Sequence, residues 1–308
     1  MSSVSEGRFR GLSVPLITRG PSRTVLRADD GVRIEAVYDP CTADDGAFAE
    51  PGDAGTAIVV AHGFTGSVDR PAVRRAVEVF AQRAAVITFS FRGHGGSGGR
   101  STVGDREVLD LAAAVAWARS LGHRRVVTVG FSMGGSVVLR HGALYTDPAA
   151  EGEGARSVPV RRGRTEACEG AYADAVVSVS APARWYYRGT APMRRLHWVV
   201  TRPAGRLVGR YGLRTRIDRN DWDPVPLSPV AAVPRIAPAP LLIVHGDKDP
   251  YFPLDHPRML ADAADGAAEL WLERGMGHAE NAADEALLTR IADWASPHRR
   301  LGDGPMTR

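Results

Sequence analysis

The chain has 308 residues, 44% of them hydrophobic and 24% charged. That length supports one large domain or two small ones with a sizeable core, and it excludes a disordered, collagen-like or mini-protein chain. Net charge is +4, but residues 183–220 hold ten arginines against one acid, Asp218, so that stretch carries +9 and the remainder −5. Lys248 is the sole lysine among 39 basic residues, a bias that fits a GC-rich genome better than a function. A nucleic-acid reading needs a basic face on a binding motif, and the sequence holds no such motif.

No stretch free of Asp, Glu, Lys and Arg reaches the length of about 18 residues that a transmembrane helix needs. Met1–Gly20 has no apolar stretch of signal-peptide length before Arg19, so no secretory leader is expected. The two cysteines, Cys41 and Cys168, lie far apart in Gly/Asp/Glu-rich stretches with no CxxC and no Cys/His cluster. They read as free thiols of a reducing, cytoplasmic environment, with no metal site.

In chain order, residues 1–20 show no period and read as a poorly ordered lead-in. Thr24–Arg27 and Val32–Tyr38 flank Asp30-Gly31, a hairpin signal. Residues 39–55 read as a loop. A repeated rhythm follows. The apolar run Ala57–Ala61 ends in His62-Gly63-Phe64, and Arg70–Arg83 has helical spacing with Val73, Val77 and Phe80 on one face. Ala85–Phe89 is a second run, ending in Arg92-Gly93-His94-Gly95-Gly96-Ser97, and Asp105–Leu121 is a helix. Arg125–Val129 is a third run, ending in Gly130-Phe131-Ser132-Met133-Gly134, with a helix behind it. After a polar loop over 147–170, the runs Ala175–Val179, Pro240–Val244 and Ala268–Leu272 resume the pattern, and a helix over Ala282–Trp294 closes it.

Short apolar runs alternating with amphipathic helices predict an α/β fold, a mostly parallel sheet covered by helices on both faces. Its sites belong at the carboxyl ends of the strands. Residues 21–182 and 238–308 form the expected core, and 183–237 interrupt it as a cap or lid. Within that insertion Arg202, Arg206, Arg210 and Arg214 recur every four residues, which suggests one helical stripe, although Gly205, Gly209 and Gly212 weaken a long helix there. The stripe reads as a solvated outer face. The competing reading is a basic cap that faces an anionic substrate or makes peripheral contact with lipid.

Gly130-x-Ser132-x-Gly134 sits between a strand and a helix. A serine hydroxyl is a weak nucleophile and needs a base beside it; a sharp strand-to-helix turn lifts it above the sheet, at the positive end of the helix dipole. The competing reading of Ser132 is an ordinary helix N-cap. The required acid and base both follow at strand ends: Asp249 after Leu241–Val244, with Asp247 as rival, and His278 after Ala268–Leu272. Ser…Asp…His is the chain order of α/β-hydrolases.

Across roughly residues 24–296 the chain resembles the α/β-hydrolase superfamily. His62-Gly63-Phe64 is similar to the family's oxyanion loop, which implies that the N–H groups of Phe64 and Met133 form an oxyanion hole. Arg92-Gly-x-Gly-x-Ser97 is similar to a turn of many members, which often carry Asp where this chain has Ser90. His245-Gly-x-x-Asp249-x-x-x-Pro253 is similar to the acid turn and selects Asp249 over Asp247. Gly277-His278 resembles the base loop. His62, His94 and His245 read as turn histidines. His123, His141, His197, His256 and His298 have no motif around them, and Asp221 and Asp223 lack metal-ligand spacing. Gly93-x-Gly95-Gly96 lacks a dinucleotide context.

The expectation is a serine hydrolase that acts on a small-molecule carboxylic ester or thioester without a cofactor. A peptidase or amidase, and a lyase or cofactor-free haloperoxidase, are alternatives on the same triad. A non-catalytic ligand-binding protein is the alternative of another class, disfavoured because every triad position holds a competent residue.

Overall fold

The computed structural model describes residues 20–42, 55–147 and 170–296. The expected lead-in, most of the loops over 39–55 and 147–170, Cys168 and His298 lie outside these residues; Cys41 is half-buried. The hairpin forms as strands β1 (Ser22–Arg27) and β2 (Arg33–Asp39). The rhythm then gives β3 (Thr56–Ala61), α1 (Pro71–Phe80), β4 (Ala85–Phe89), α2 (Glu107–Ser120), β5 (Arg125–Phe131), α3 (Met133–Leu144) and β6 (Ala175–Val179). The insertion carries α4 (Ala191–Thr201), α5 (Pro203–Tyr211) and α6 (Pro229–Ala232). β7 (Leu241–Gly246), α7 (Asp255–Ala263), β8 (Ala268–Glu273), α8 (Ala279–Ala282) and α9 (Glu285–Ala295) complete the chain.

The strands form one sheet in the order β1-β2-β4-β3-β5-β6-β7-β8. β1 and β2 pair antiparallel, as do β2 and β4; every later pairing is parallel. The central strands are buried on both faces, which is why they read as unbroken apolar runs rather than alternations. Successive residues still point to opposite faces. Val59 packs with Leu111 and Val115 of α2 and Val137 of α3, whereas Ile58 and Val60 pack with Val73 and Phe80 of α1 and Ile291 of α9.

Three differences from the sequence reading have local causes. The closing helix starts at Glu285, not Ala282, because Asp284 caps it by accepting the Leu287 N–H at 2.8 Å. The arginine stripe is not one helix. Pro203 opens α5 after α4 ends at Thr201, so Arg202 stands between the helices and Arg214 beyond them with φ 55°. The insertion also rejoins the core before residue 237, since Pro229, Ala232, Val233 and Ile236 are buried and the last three lie under α3 or its neighbours.

Candidate active site

β5 delivers Ser132 into a backbone conformation of φ 53° and ψ −113°, and α3 starts at the next residue. Such a strained turn persists only where its surroundings fix it. The Ser132 N–H donates to the Val179 carbonyl at 2.8 Å. A methyl group at Gly130 would overlap the Gly134 carbonyl, and one at Gly134 would overlap the Ala61 carbonyl. Both flanking glycines are therefore dictated by close backbone approach.

The ring of His278 spans the gap between Ser132 and Asp249. His278 Nδ1–H donates to Asp249 Oδ2 at 2.7 Å, and Ser132 Oγ–H faces His278 Nε2 at 2.9 Å. The Asp249 side chain is fully buried. Burial alone would raise its pKa, but the hydrogen bond and charge of His278 and the N–H groups of Phe252 and Tyr251 on Oδ1 outweigh it and hold the carboxyl below its ordinary value. Asp247 instead accepts the Gly275 N–H at 2.6 Å, which shapes the turn ahead of His278. His245 donates from Nε2 to the Phe252 carbonyl at 2.9 Å. The Tyr251 ring lies 4.3 Å from the His278 ring, centre to centre, and limits its rotation.

The loop after β3 is held from two sides. His62 Nε2 accepts the Phe91 N–H at 3.0 Å and its Nδ1–H donates to the Gly63 carbonyl at 2.6 Å; burial pushes this imidazole down to about 3, so it is neutral. His94 accepts the Thr65 N–H at 3.2 Å and donates to the Arg92 carbonyl at 3.0 Å. The Gly63 N–H donates to Oε1 of the buried Glu280 at 3.2 Å. Glu280 lies two residues past His278, so it couples the base loop to the loop carrying Phe64. A Cβ at Gly63 would meet that carboxylate at 3.1 Å and Ser132 Cβ at 3.4 Å.

With this geometry in place, comparison with known proteins is informative. The sequence pattern described as the alpha/beta hydrolase family matches residues 58–289. The chain belongs to this family. Among solved structures, an esterase from Pyrococcus furiosus is 20% identical, with a TM-score of 0.62 over 89% of this chain and 91% of that one. A serine hydrolase without a lid from Xanthomonas campestris is 18% identical, with a TM-score of 0.55 over 91% and 95%. Est1E from Butyrivibrio proteoclasticus, with bound ferulic acid, is 18% identical, with a TM-score of 0.54 over 89% and 97%. At such identities the likeness is one of fold. The search of curated proteins found no match.

In this hydrolase Ser132 opens onto a cavity of about 610 Å³. Phe64 and Met133 line it, as do Trp185, Tyr187 and Trp222 from the insertion and Phe252 from the acid turn. The insertion is pinned over the cavity by a short bridge, Ser101 to Ile217, and by Trp222 Nε1–H donating to the Thr102 carbonyl at 2.7 Å. A Cβ at Gly93 would overlap the Arg216 carbonyl, so the turn after β4 admits the insertion only as glycine. Fully buried Glu107 shapes the wall over residues 101–104. Its carboxylate accepts Ser101 Oγ–H, Thr102 Oγ1–H and the N–H groups of Thr102, Val103 and Gly104, at 2.6–3.2 Å.

Ser90 donates to Glu35 Oε2 at 3.0 Å, and the same oxygen accepts the Gly96 N–H at 2.9 Å. Strand β2 thus supplies a carboxylate to this turn. No motif marks Glu35, Glu107, Tyr251 or Glu280, and sequence reasoning missed all four. Among the described residues, no group of three His, Cys, Asp or Glu is placed to hold a metal ion, and no helix is long and apolar enough to cross a membrane.

Proposed function

We propose that this hydrolase cleaves a carboxylic ester or thioester through an acyl-enzyme on Ser132. The observation that carries the reading is the hydrogen-bonded line from Asp249 through His278 to Ser132 at the edge of an aromatic-lined cavity. Ser132 Oγ attacks the carbonyl carbon as its proton passes to His278 Nε2, and the carbonyl oxygen becomes an oxyanion. The N–H groups of Phe64 and Met133 stabilise that charge; Met133 stands at the first turn of α3, where N–H groups have no partner within the helix. Collapse of the intermediate expels the alcohol or thiol, which takes its proton from His278. Water then attacks the acyl group, gives its proton to His278, and the acid leaves as Ser132 recovers its own. Asp249 holds the ring tautomer and stabilises the imidazolium throughout.

The Pyrococcus furiosus esterase of like fold supports this reading by analogy. The chemistry calls for no cofactor. Hydrolysis of p-nitrophenyl esters from acetate to palmitate tests it. Wild type turns over, with an optimum above acetate because the cavity is roomy and Phe, Trp and Tyr side chains line it, and Ser132→Ala does not. Equal turnover by both proteins overturns the assignment. Silence of wild type across the series, with cleavage of p-nitroanilides, moves the reading to an amidase.

A further inference from the structure

The insertion has an outer face that the ester chemistry does not use. Helices α4 and α5 run as a close pair, because a Cβ at Gly205 would overlap the Trp198 carbonyl. The inner side of α4 sends Met193, Leu196 and Val200 to the cavity. The outer side of the pair leaves Trp198 48%, Leu207 58%, Val208 47% and Tyr211 75% exposed. Single exposed apolar residues are ordinary, but four on one pair of short helices are not. Arginines surround them: Arg194 and Arg195 border a shallow hollow with Trp198, Arg202 joins the helices, and Arg210 lies over the Tyr211 ring at 5.6 Å. None of these four arginines has an acidic partner among the described residues.

We propose that this face docks the protein on an anionic lipid surface. The charge pattern selects the occupant. Arg194, Arg195, Arg202 and Arg210 put four positive charges on this face, while the chain outside residues 183–220 carries −5, so the attraction is local and orients the molecule. A second copy docked about a two-fold axis would set arginine against arginine. An acidic protein would satisfy the guanidinium groups, but a lipid boundary satisfies both halves of the pattern. Phosphate oxygens accept from arginine, and the layer beneath takes Trp, Leu, Val and Tyr side chains. Docking there sets the roof of the cavity against the lipid. This proposal stands independently of the reaction at Ser132.

The test is co-sedimentation of the full chain with vesicles of phosphatidylglycerol and phosphatidylcholine in equal parts, and with vesicles of phosphatidylcholine alone. Two variants accompany it, Arg194→Gln/Arg195→Gln/Arg210→Gln and Leu207→Ser/Tyr211→Ser. All of these side chains are exposed, and an unchanged melting temperature confirms that each variant folds. Wild type pellets with the anionic vesicles and not with phosphatidylcholine, and releases as salt rises from about 0.05 to about 0.3 M. Each basic side chain at such a surface is worth about fivefold in affinity, so the triple variant binds about 100-fold more weakly. The apolar variant binds weakly as well. Three results overturn the proposal: no binding to anionic vesicles at low salt, binding that neither variant moves, and a wild-type dimer in sedimentation velocity that Leu207→Ser/Tyr211→Ser dissociates. The last assigns the face to a second copy.

Discussion

The turns at the carboxyl ends of β3, β4, β5, β7 and β8 and the insertion between β6 and β7 meet around Ser132 and the cavity beside it, and they are built differently. In the turns nearly every polar group is already committed. Asp249 takes three donors, His62 and His94 each bond through both ring nitrogens, and Asp247 and Glu280 hold loop backbone. The insertion has little core of its own: Met193 is the buried residue of α4, and only Gly205 and Gly209 are buried in α5. Contacts with the core hold it in place: the run Arg216–Asp218 against Gly93 and Ser101, Trp222 on Thr102, and Thr190 Oγ1–H donating to the Tyr251 carbonyl at 2.9 Å. The contrast teaches that the groups proposed to react are held in place by the fold itself, whereas the cavity wall opposite them is attached from outside. Damage to the turns is therefore expected to reach the rate, and damage to the insertion to reach selectivity.

The largest effects sharpen that division within a single turn. Asp249→Asn lowers kcat by about 10⁴-fold, because the amide favours the wrong His278 tautomer. Asp247→Asn, two residues away, keeps the fold of the turn and stays within a few-fold of wild type. Steady-state rates on one p-nitrophenyl ester check both, and equal losses would break the assignment of Asp249.

Next comes Glu107→Ala, which orphans several buried donors of the 101–104 wall. It costs about 3 kcal/mol of stability in a urea titration, at the upper end for one buried acceptor because more than one donor depends on it. A neutral result would mean that the wall is held otherwise.

A more graded effect concerns pH. Burial pushes His62 and His141 down to about 3, so both stay neutral in the folded protein while they protonate in the unfolded chain near its ordinary value. The unfolded state then binds more protons below about pH 6.5, and stability falls as pH drops from there, by up to about 1.4 kcal/mol per pH unit for each histidine. His141→Phe fills the same space beside Tyr145, 4.7 Å away, and removes one of these slopes. Urea midpoints at several pH values between about 6.5 and 4.5 report it. An unchanged slope would contradict the argument.

The smallest effect lies in the insertion. Trp222→Ala removes the tie to Thr102 and part of the aromatic wall, where Trp185 and Trp222 lie 5.1 Å apart. It shifts KM and the preferred acyl length by a few-fold and leaves kcat on the best ester nearly unchanged. A loss in kcat like that of Asp249→Asn would erase the proposed division.

How much of this was legible in the sequence follows the same line. The strands, though not their order in the sheet, and the residues Ser132 and His278 rest on local signals, apolar runs and strand-to-helix glycines; Asp249 is selected over Asp247 by the resemblance of its turn to the family's. Glu35, Glu107 and Glu280 act through partners that only the folded sheet brings near. Glu35 reaches Ser90 and Gly96 from a strand some 55 and 61 residues earlier. In the insertion the glycines speak against a long helix, and α5 is indeed only nine residues long. What they do not reveal is their packing role: Gly205 admits α4, and a Cβ at Gly209 would meet Ile217 Cδ1 at 2.9 Å. Tertiary contact, not helix propensity, explains them.

The acyl-enzyme at Ser132 is the central claim, and intact-mass spectrometry of protein quenched in acid during turnover of a p-nitrophenyl ester addresses it directly. The account predicts one acyl group per chain, mapped after digestion to the peptide that contains Ser132 and absent from Ser132→Ala. An acyl group on another residue, or turnover by Ser132→Ala at the wild-type rate, would contradict it.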